Sequence, residues 1–269
     1  MSRLVGVSSV VAGTGTARYE EGEVAVRFMT WNVWGRFGDH WLRRQRAIAE
    51  TVRAQRPDFL ALQETWRDDG QSQTDLLGFE LGMSSVFAPS RMPRDPDPGV
   101  RLGLGILSRF PLRAVEQHTL STGTVALRAE IRLGEDSLHF ITSCLDWEED
   151  HQRERFAQAS SLASLVSELK ARGDDVVVAG DLNAPPDCPE LDPLLAVLDD
   201  CWQQAYDGVT YSSRNPYLGH GEWLEDQRID YILANDGLVP TDSHLVGFDE
   251  DHGRPPSDHY AVVTDVPVS

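Results

Sequence analysis

The chain is short of positive charge, of cysteine and of long apolar runs, and each shortage excludes something. Its 269 residues carry 24 Lys and Arg against 43 Asp and Glu, a formal net charge of -19. The imbalance sits in one half. Residues 1–130 hold 16 basic against 15 acidic residues, whereas residues 131–269 hold 8 against 28. The broad cationic footprint that drives non-specific nucleic-acid binding is therefore missing, and nucleic acid, though possible, is not the favoured partner. Three cysteines without a CxxC pair fit a reducing cytoplasm better than a disulfide-stapled secreted domain. No apolar run is long enough to span a membrane, and there is no internal repeat or low-complexity tract. The stretch 1–23 has one short apolar patch, little basic charge before it and no small-residue cleavage site, so it is not read as a secretory leader. Residues 1–24 read as a loose tail or edge addition, and residues 25–269 as one domain.

What is present centres on Val176-Val177-Val178-Ala179-Gly180-Asp181-Leu182-Asn183-Ala184-Pro185-Pro186. The small and β-branched residues predict a buried strand, the glycine a sharp turn at its end, and the prolines a stop. If the extended geometry persists, Asp181 and Asn183 share a side, since strand side chains alternate. The competing reading is an Asp/Asn turn bonding its own backbone.

Other strands end in the same way. Val24–Thr30 alternates and runs into Trp31-Asn32-Val33-Trp34-Gly35, and Phe59–Leu62 runs into Gln63-Glu64-Thr65. A helix is expected through Trp41, Leu42, Gln45, Ile48, Ala49 and Val52, capped by Asp39 and stopped by Pro57. Residues 66–99, rich in Asp, Gly, Ser and Pro, read as loop. A glycine-spaced strand at 102–111 precedes three segments, 112–120, 125–133 and 138–143, that suit an antiparallel meander. A long helix over 149–170 should bury Phe156, Ala159, Leu162, Ala163, Val166 and Leu169. A short helix over 190–198, a polar loop over 206–225, a strand at Arg228–Leu233 and a last strand at Ala261–Val266 close the chain.

Trp31-Asn32-Val33-Trp34-Gly35, Leu62-Gln63-Glu64, Gly180-Asp181-Leu182-Asn183, Arg228-Ile229-Asp230-Tyr231 and Ser257-Asp258-His259 occur in this order. Over about residues 25 to 267 the series resembles the endonuclease/exonuclease/phosphatase superfamily, the DNase I-like phosphoesterases. The resemblance implies an α/β four-layer sandwich, two mixed β-sheets packed face to face with helices on the outer faces, and a divalent-metal site at one rim.

It also implies roles. Glu64 becomes the main Mg2+ ligand (Mn2+ being possible), a hard carboxylate for a hard cation, with Asp258 beside the metal and Asn32 a ligand-shell or phosphate-contacting amide that also binds substrate. Asp181 orients and deprotonates the attacking water, and Asn183 bonds a phosphoryl oxygen. His259 contacts the phosphate, with its ring held by Asp230. Arg109, Asn215 and Asp146 are further candidates for substrate contact. Where many members carry Thr-His-Leu, this chain has Ser143-Cys144-Leu145-Asp146-Trp147. A neutral thiol donates weakly, so Asp146 is the expected helper of the leaving group. The expected function is metal-dependent hydrolysis of a phosphodiester or phosphomonoester, with a small-molecule or lipid-head-group substrate preferred. A nuclease and a weakly active phosphate-binding protein are the alternatives.

Overall fold

The computed structural model describes residues 18–20, 23–38, 40–93, 97–134, 136–218, 226–248 and 254–268. In chain order its elements are β1 (Arg18–Glu20), β2 (Glu23–Asn32), α1 (Trp41–Gln55), β3 (Phe59–Arg67), α2 (Gln73–Leu81), β4 (Ser84–Pro89) and β5 (Arg101–Ser108). There follow β6 (Arg113–Thr119), β7 (Val125–Leu133), β8 (Asp136–Cys144), α3 (Gln152–Lys170), β9 (Asp175–Asp181) and, after a 3-10 turn, α4 (Asp192–Leu195). The last strands are β10 (Asp199–Asp200), β11 (Asp230–Ala234), β12 (Asp242–Val246) and β13 (Ala261–Val268).

These strands form two mixed sheets. The first runs β12-β13-β2-β3-β5-β4, with β1 paired onto β2; the second runs β10-β11-β9-β8-β7-β6. Only β2–β3 and β8–β9 are parallel, and each pair is joined through a helix, as a parallel crossover requires. Alternation along the strands sends one set of side chains into the space between the sheets. Phe28, Phe59, Ala61 and Ile106 from the first sheet meet Leu127, Phe140, Val177 and Ile232 from the second. Phe28 and Phe59 stack with ring centroids 5.1 Å apart, and each buried ring contributes roughly 2–3 kcal/mol. The opposite faces are covered by helices: Ile48, Ala49, Val52 and Leu77 pack on the first sheet, and Ala159, Leu162, Val166 and Leu194 on the second. The expected four-layer α/β sandwich is the observed one.

Several local expectations are corrected. Leu42, placed on the buried stripe of α1, is 64% exposed, and Arg44 takes the inside position instead. Asp39, expected as the cap, lies outside the described residues. The helix is preceded by His40 in a left-handed conformation without a side-chain cap bond. Phe156 of α3 likewise faces out, while the rest of its stripe is buried. The loop read over 66–99 contains α2, started by the Ser72 hydroxyl accepting from Asp75 N–H and ended by left-handed Gly82, and then β4. Strand β12 was not foreseen. Gly180 does not turn the chain. It lies inside β9, where an added Cβ would stand 2.1 Å from the Ser143 carbonyl oxygen, so it is required by close strand approach.

Candidate active site

Strand direction gathers the polar strand ends at one rim. Because β2 and β3 are parallel, Asn32 and Glu64 emerge together. In the second sheet β9 ends at Asp181, opposite Cys144 of β8 and opposite Asp230 at the start of antiparallel β11. His259 precedes β13, which is antiparallel to β2 and so begins where β2 ends.

Asn32 ties the two sheets together there. Its Oδ1 accepts from Trp34 N–H (3.0 Å), which leaves Nδ2 to donate to Glu64 Oε1 (3.2 Å) and Asp181 Oδ2 (3.0 Å). Asn32 is therefore a donor that links two carboxylates, and its oxygen, which keeps a second lone pair, is braced by Trp34 N–H. Glu64 sits at a bulge, where the pairing with β5 shifts between Leu62 and Thr65, and its φ is 54°. That left-handed conformation costs on the order of 1–3 kcal/mol and re-aims the side chain.

Asp181 uses both oxygens. Oδ1 accepts from Asn183 N–H (3.0 Å) in a local turn, while Oδ2 receives the Asn32 amide and lies 4.0 Å from His259 Nε2. The turn reading of this stretch holds and the extended geometry does not persist: Asn183, with φ 50°, leaves the strand. Its Nδ2 donates to the Leu145 carbonyl (3.0 Å) and lies 3.7 Å from the Cys144 sulfur. His259 Nδ1 is 2.9 Å from Asp230 Oδ2. Trp31 indole N–H donates to the His259 carbonyl (2.9 Å), and the Thr210 hydroxyl oxygen accepts from Ile229 and Asp230 N–H, fixing the start of β11.

Burial sets the electrostatics. It raises the Glu64 carboxyl to about 8, aided by the nearby Asp258 charge. It raises Asp181 to about 7, aided by Asp230. For His259 burial opposes the charged form, but Asp230, Asp258 and Asp181 outweigh it and hold the imidazole well above its usual value. A buried carboxylate group with one imidazolium is electrostatically incomplete. Glu64 Oε2 and Asp230 Oδ1 are buried without a hydrogen-bond partner. Asp181, Asp230 and His259 also offer ligand atoms within 4.8 Å of one another. Since His259 already bridges those two carboxylates, the unpartnered Glu64 oxygen, with Asp258 beside it, is the better fit for a hard divalent cation.

Three expected substrate contacts are not brought here as drawn. Arg109 follows Ser108, which pairs with Phe59 at the opposite end of β3; its Nε bonds the Pro57 carbonyl (2.9 Å) and faces Asp58. Asn215 is buried and spends its amide on Ser257 O (2.9 Å) and Tyr217 N–H (3.1 Å), bracing the loop before Asp258. Asp146 is buried against Arg91 and His151 Nδ1 (3.0 Å). Burial would raise its carboxyl, but Glu148 N–H, His151 and Arg91 together hold it below the usual range. It is thus an anion, unsuited to protonate a leaving group. Cys144 is buried, and burial together with Asp181 and Glu64 drives its thiol well above the ordinary value. It is neutral, as expected.

Sequence reasoning passed over three side chains. Arg44 is buried under the site, donating to the carbonyls of Val33, Trp34, Gly35, Phe37 and Pro256. Its place inside an amphipathic stripe was the only signal. Arg91 reaches Asp146 from across the sandwich, and Tyr211 packs its ring on His259 with centroids 4.9 Å apart. No local pattern announces either.

The sequence profile of the Endonuclease/Exonuclease/phosphatase family matches residues 29–259. The chain belongs to that family. Its members include Tyrosyl-DNA phosphodiesterase 2 of Xenopus laevis, 22% identical over 96% of this chain and 70% of the relative. Sphingomyelin phosphodiesterase 2 of Homo sapiens is 25% identical over 88% of this chain, which spans 63% of that relative's length. The crystal structure of truncated Caenorhabditis elegans TDP2 superposes with a TM-score of 0.75 at 21% identity, covering 91% of this chain and 98% of the other. Membership makes the chain a divalent-metal-dependent phosphoric ester hydrolase. Among the described residues no helix is long and apolar enough to cross a membrane.

Proposed function

We propose that this family member is a Mg2+-dependent phosphodiesterase acting on a small-molecule or lipid-head-group diester, with Mn2+ able to substitute. The observation that carries the reading is the single polar network joining Glu64, Asn32, Asp181, His259 and Asp230 across two sheets. Glu64 and Asp258 would hold the cation, which when bound supplies Lewis-acid charge to a phosphoryl oxygen. Asp181, a buried carboxylate whose affinity for protons is raised towards neutrality, takes a proton from the attacking water. His259, kept cationic by Asp230, faces the charge that builds on the phosphoryl group. Asn183 is placed to orient the water or a phosphoryl oxygen once it exchanges its Leu145 carbonyl for substrate. A diester is preferred because the Xenopus and human relatives are both phosphodiesterases by name.

A nucleic-acid strand is the second reading, and one feature favours it. In a chain this acidic, His40, Arg43, Arg44, Tyr217 and Arg254 line one pocket beside the loop leading to Asp258. The Xenopus relative is a tyrosyl-DNA phosphodiesterase by name. Turnover of bis-p-nitrophenyl phosphate, p-nitrophenyl phosphate, sphingomyelin micelles, and single- and double-stranded DNA and RNA, each with Mg2+, Mn2+ or EDTA, tests both readings. The first expects a lipid or small diester to give the highest kcat/KM with little salt dependence. A strand substrate whose KM climbs steeply with salt overturns it in favour of the second. No metal-dependent turnover of any ester defeats both.

A further inference from the structure

A phosphodiester with an alkyl leaving group needs a proton delivered to the departing oxygen, and the residues nearest in sequence cannot give one. The Cys144 thiol is buried and points at the Leu145 carbonyl (3.8 Å) and Asp181 Oδ2 (4.0 Å). Asp146 is an anion held by Arg91 and His151. Cys144 also lies beside Asp181 and Asn183, which would hold the water, whereas in-line displacement puts the leaving oxygen on the opposite side of phosphorus.

Tyr211 is the other group at hand, packed on the ring of His259. Its backbone exchanges two hydrogen bonds with Gln227 (both 2.9 Å) and bridges to His259, with the adjacent Tyr260 N–H donating to Thr210 O (2.8 Å). This short three-strand bridge lays the phenol ring on the imidazole, centroids 4.9 Å apart and tilted 55°. His259 therefore adjoins both Asp181, with its Nε2 4.0 Å away, and Tyr211. The ring is half-buried, and its hydroxyl makes no hydrogen bond to another described residue. Of the site carboxylates, Asp258 acts on it most strongly, ahead of Asp181 and Glu64. Burial and these charges keep the phenol neutral, pushed up to about 12.

We propose that the Tyr211 hydroxyl is the proton donor to the leaving oxygen, filling the role vacated at Cys144. The assignment rests on the hydrolytic reading given above. In the step, the water oxygen forms the new bond to phosphorus as its proton passes to Asp181. The bond from phosphorus to the leaving oxygen breaks, with the electron pair remaining on that oxygen, which takes the phenolic proton. Exchange with solvent then returns a proton to the tyrosinate and removes one from Asp181, so the net reaction consumes one water. A phenol suits this task because it is a stronger acid than an alcohol, so transfer to a departing alkoxide runs downhill.

The test compares wild type, Tyr211→Phe and Asp181→Asn with Mg2+, on bis-p-nitrophenyl phosphate and on alkyl diesters (sphingomyelin in micelles and a thymidine dinucleotide). Phenylalanine keeps the ring on His259 and removes only the hydroxyl. The expected result is a fall of about 10²-fold in the alkyl-to-aryl kcat ratio of Tyr211→Phe, with KM and melting temperature held. An unchanged ratio in Tyr211→Phe, with Asp181→Asn inactive on the aryl ester, removes the tyrosine assignment and leaves the hydrolytic site standing. Full aryl turnover by Asp181→Asn overturns the hydrolytic reading and the tyrosine assignment with it. A wild type that turns over no alkyl diester leaves no alkoxide to protonate, which also overturns the assignment.

Discussion

Two groups of acidic residues with a histidine lie near the same rim, and their contrast shows what makes one a reaction centre. In the first, Asp181 and Asp230 flank His259, with Glu64 and Asp258 adjoining. In the second, Asp146 and Glu148 flank His151. Composition hardly separates them. The difference is that Arg91 enters the second group, its guanidinium reaching Asp146 and, at 2.6 Å, Glu148, while also lying over the Trp147 ring. Its carboxyl is therefore held in the ordinary ionised state. Among the described residues no arginine bonds a carboxylate of the first group; Arg44, which acts on Asp258 only through space, donates to five backbone carbonyls. Buried acceptors remain unpartnered at Glu64 and Asp230, and the carboxyls are pushed up towards neutrality. The first group is thus poised for a metal and for proton transfer, and the second is a brace.

If that contrast is right, the largest effects follow from disabling the first group. Asp181→Asn should lower kcat on the order of 10²–10⁴-fold with the melting temperature kept, read by steady-state turnover of bis-p-nitrophenyl phosphate. Glu64→Gln should lose a comparable amount at low Mg2+ and recover partly at high Mg2+ or Mn2+; an unchanged metal titration removes Glu64 as the main ligand. Asp230→Asn should reduce kcat by roughly 10-fold or more, since His259 loses the partner that holds it cationic and oriented.

The second group should respond in stability rather than in rate. Arg91→Met leaves the buried Asp146 carboxylate with only His151 and the Glu148 N–H, and should lower stability by about 1–3 kcal/mol in urea unfolding. Its kcat on the aryl ester should stay within a few-fold of wild type. A 10²-fold rate loss would instead place Arg91 on the substrate.

Metal removal separates the groups by the sign of their pH response. In the folded, metal-free protein Glu64 and Asp181 hold protons up to about 8 and about 7, whereas in the unfolded chain carboxyls release them near about 4. The folded state therefore binds more protons across this window, and stability falls as pH rises through it. His259, raised from its ordinary value, contributes in the same direction above its unfolded value. With EDTA the melting temperature should drop from pH 5.5 to 8.5, and Glu64→Gln should flatten that slope. A melting temperature that rises over this interval would contradict the charge picture of the first group.

The smallest expected effect is at Cys144. Because the buried thiol is neutral, Cys144→Ala should change turnover of the aryl ester by no more than about two-fold, apart from a modest packing loss. Inactivity in a folded, metal-binding Cys144→Ala protein would return the thiol to the chemistry.

The strands that end in Asn32, Glu64 and Asp181 were readable because β-branched and aromatic runs closed by a polar residue are local patterns. Their order along the chain carried the family resemblance, and with it the sandwich and the metal-dependent hydrolysis. Helix α2 was hidden because its apolar residues follow no single stripe, Phe79 being 85% exposed. The assignments of Arg109, Asn215 and Asp146 failed for one reason: whether a polar side chain faces substrate depends on which partners arrive from distant segments. Arg109 was carried to the far rim by β5, Asn215 was spent on Ser257, and Asp146 was neutralised by an arginine 55 residues away. The sequence by itself determined the strand ends and their chemistry, since these depend on residue type and immediate neighbours. Only the tertiary structure decided which of two similar acidic groups an arginine enters, and whose ring lies against His259. Burial and charge pairing act through space, and nothing in the spacing of residues along the chain records them.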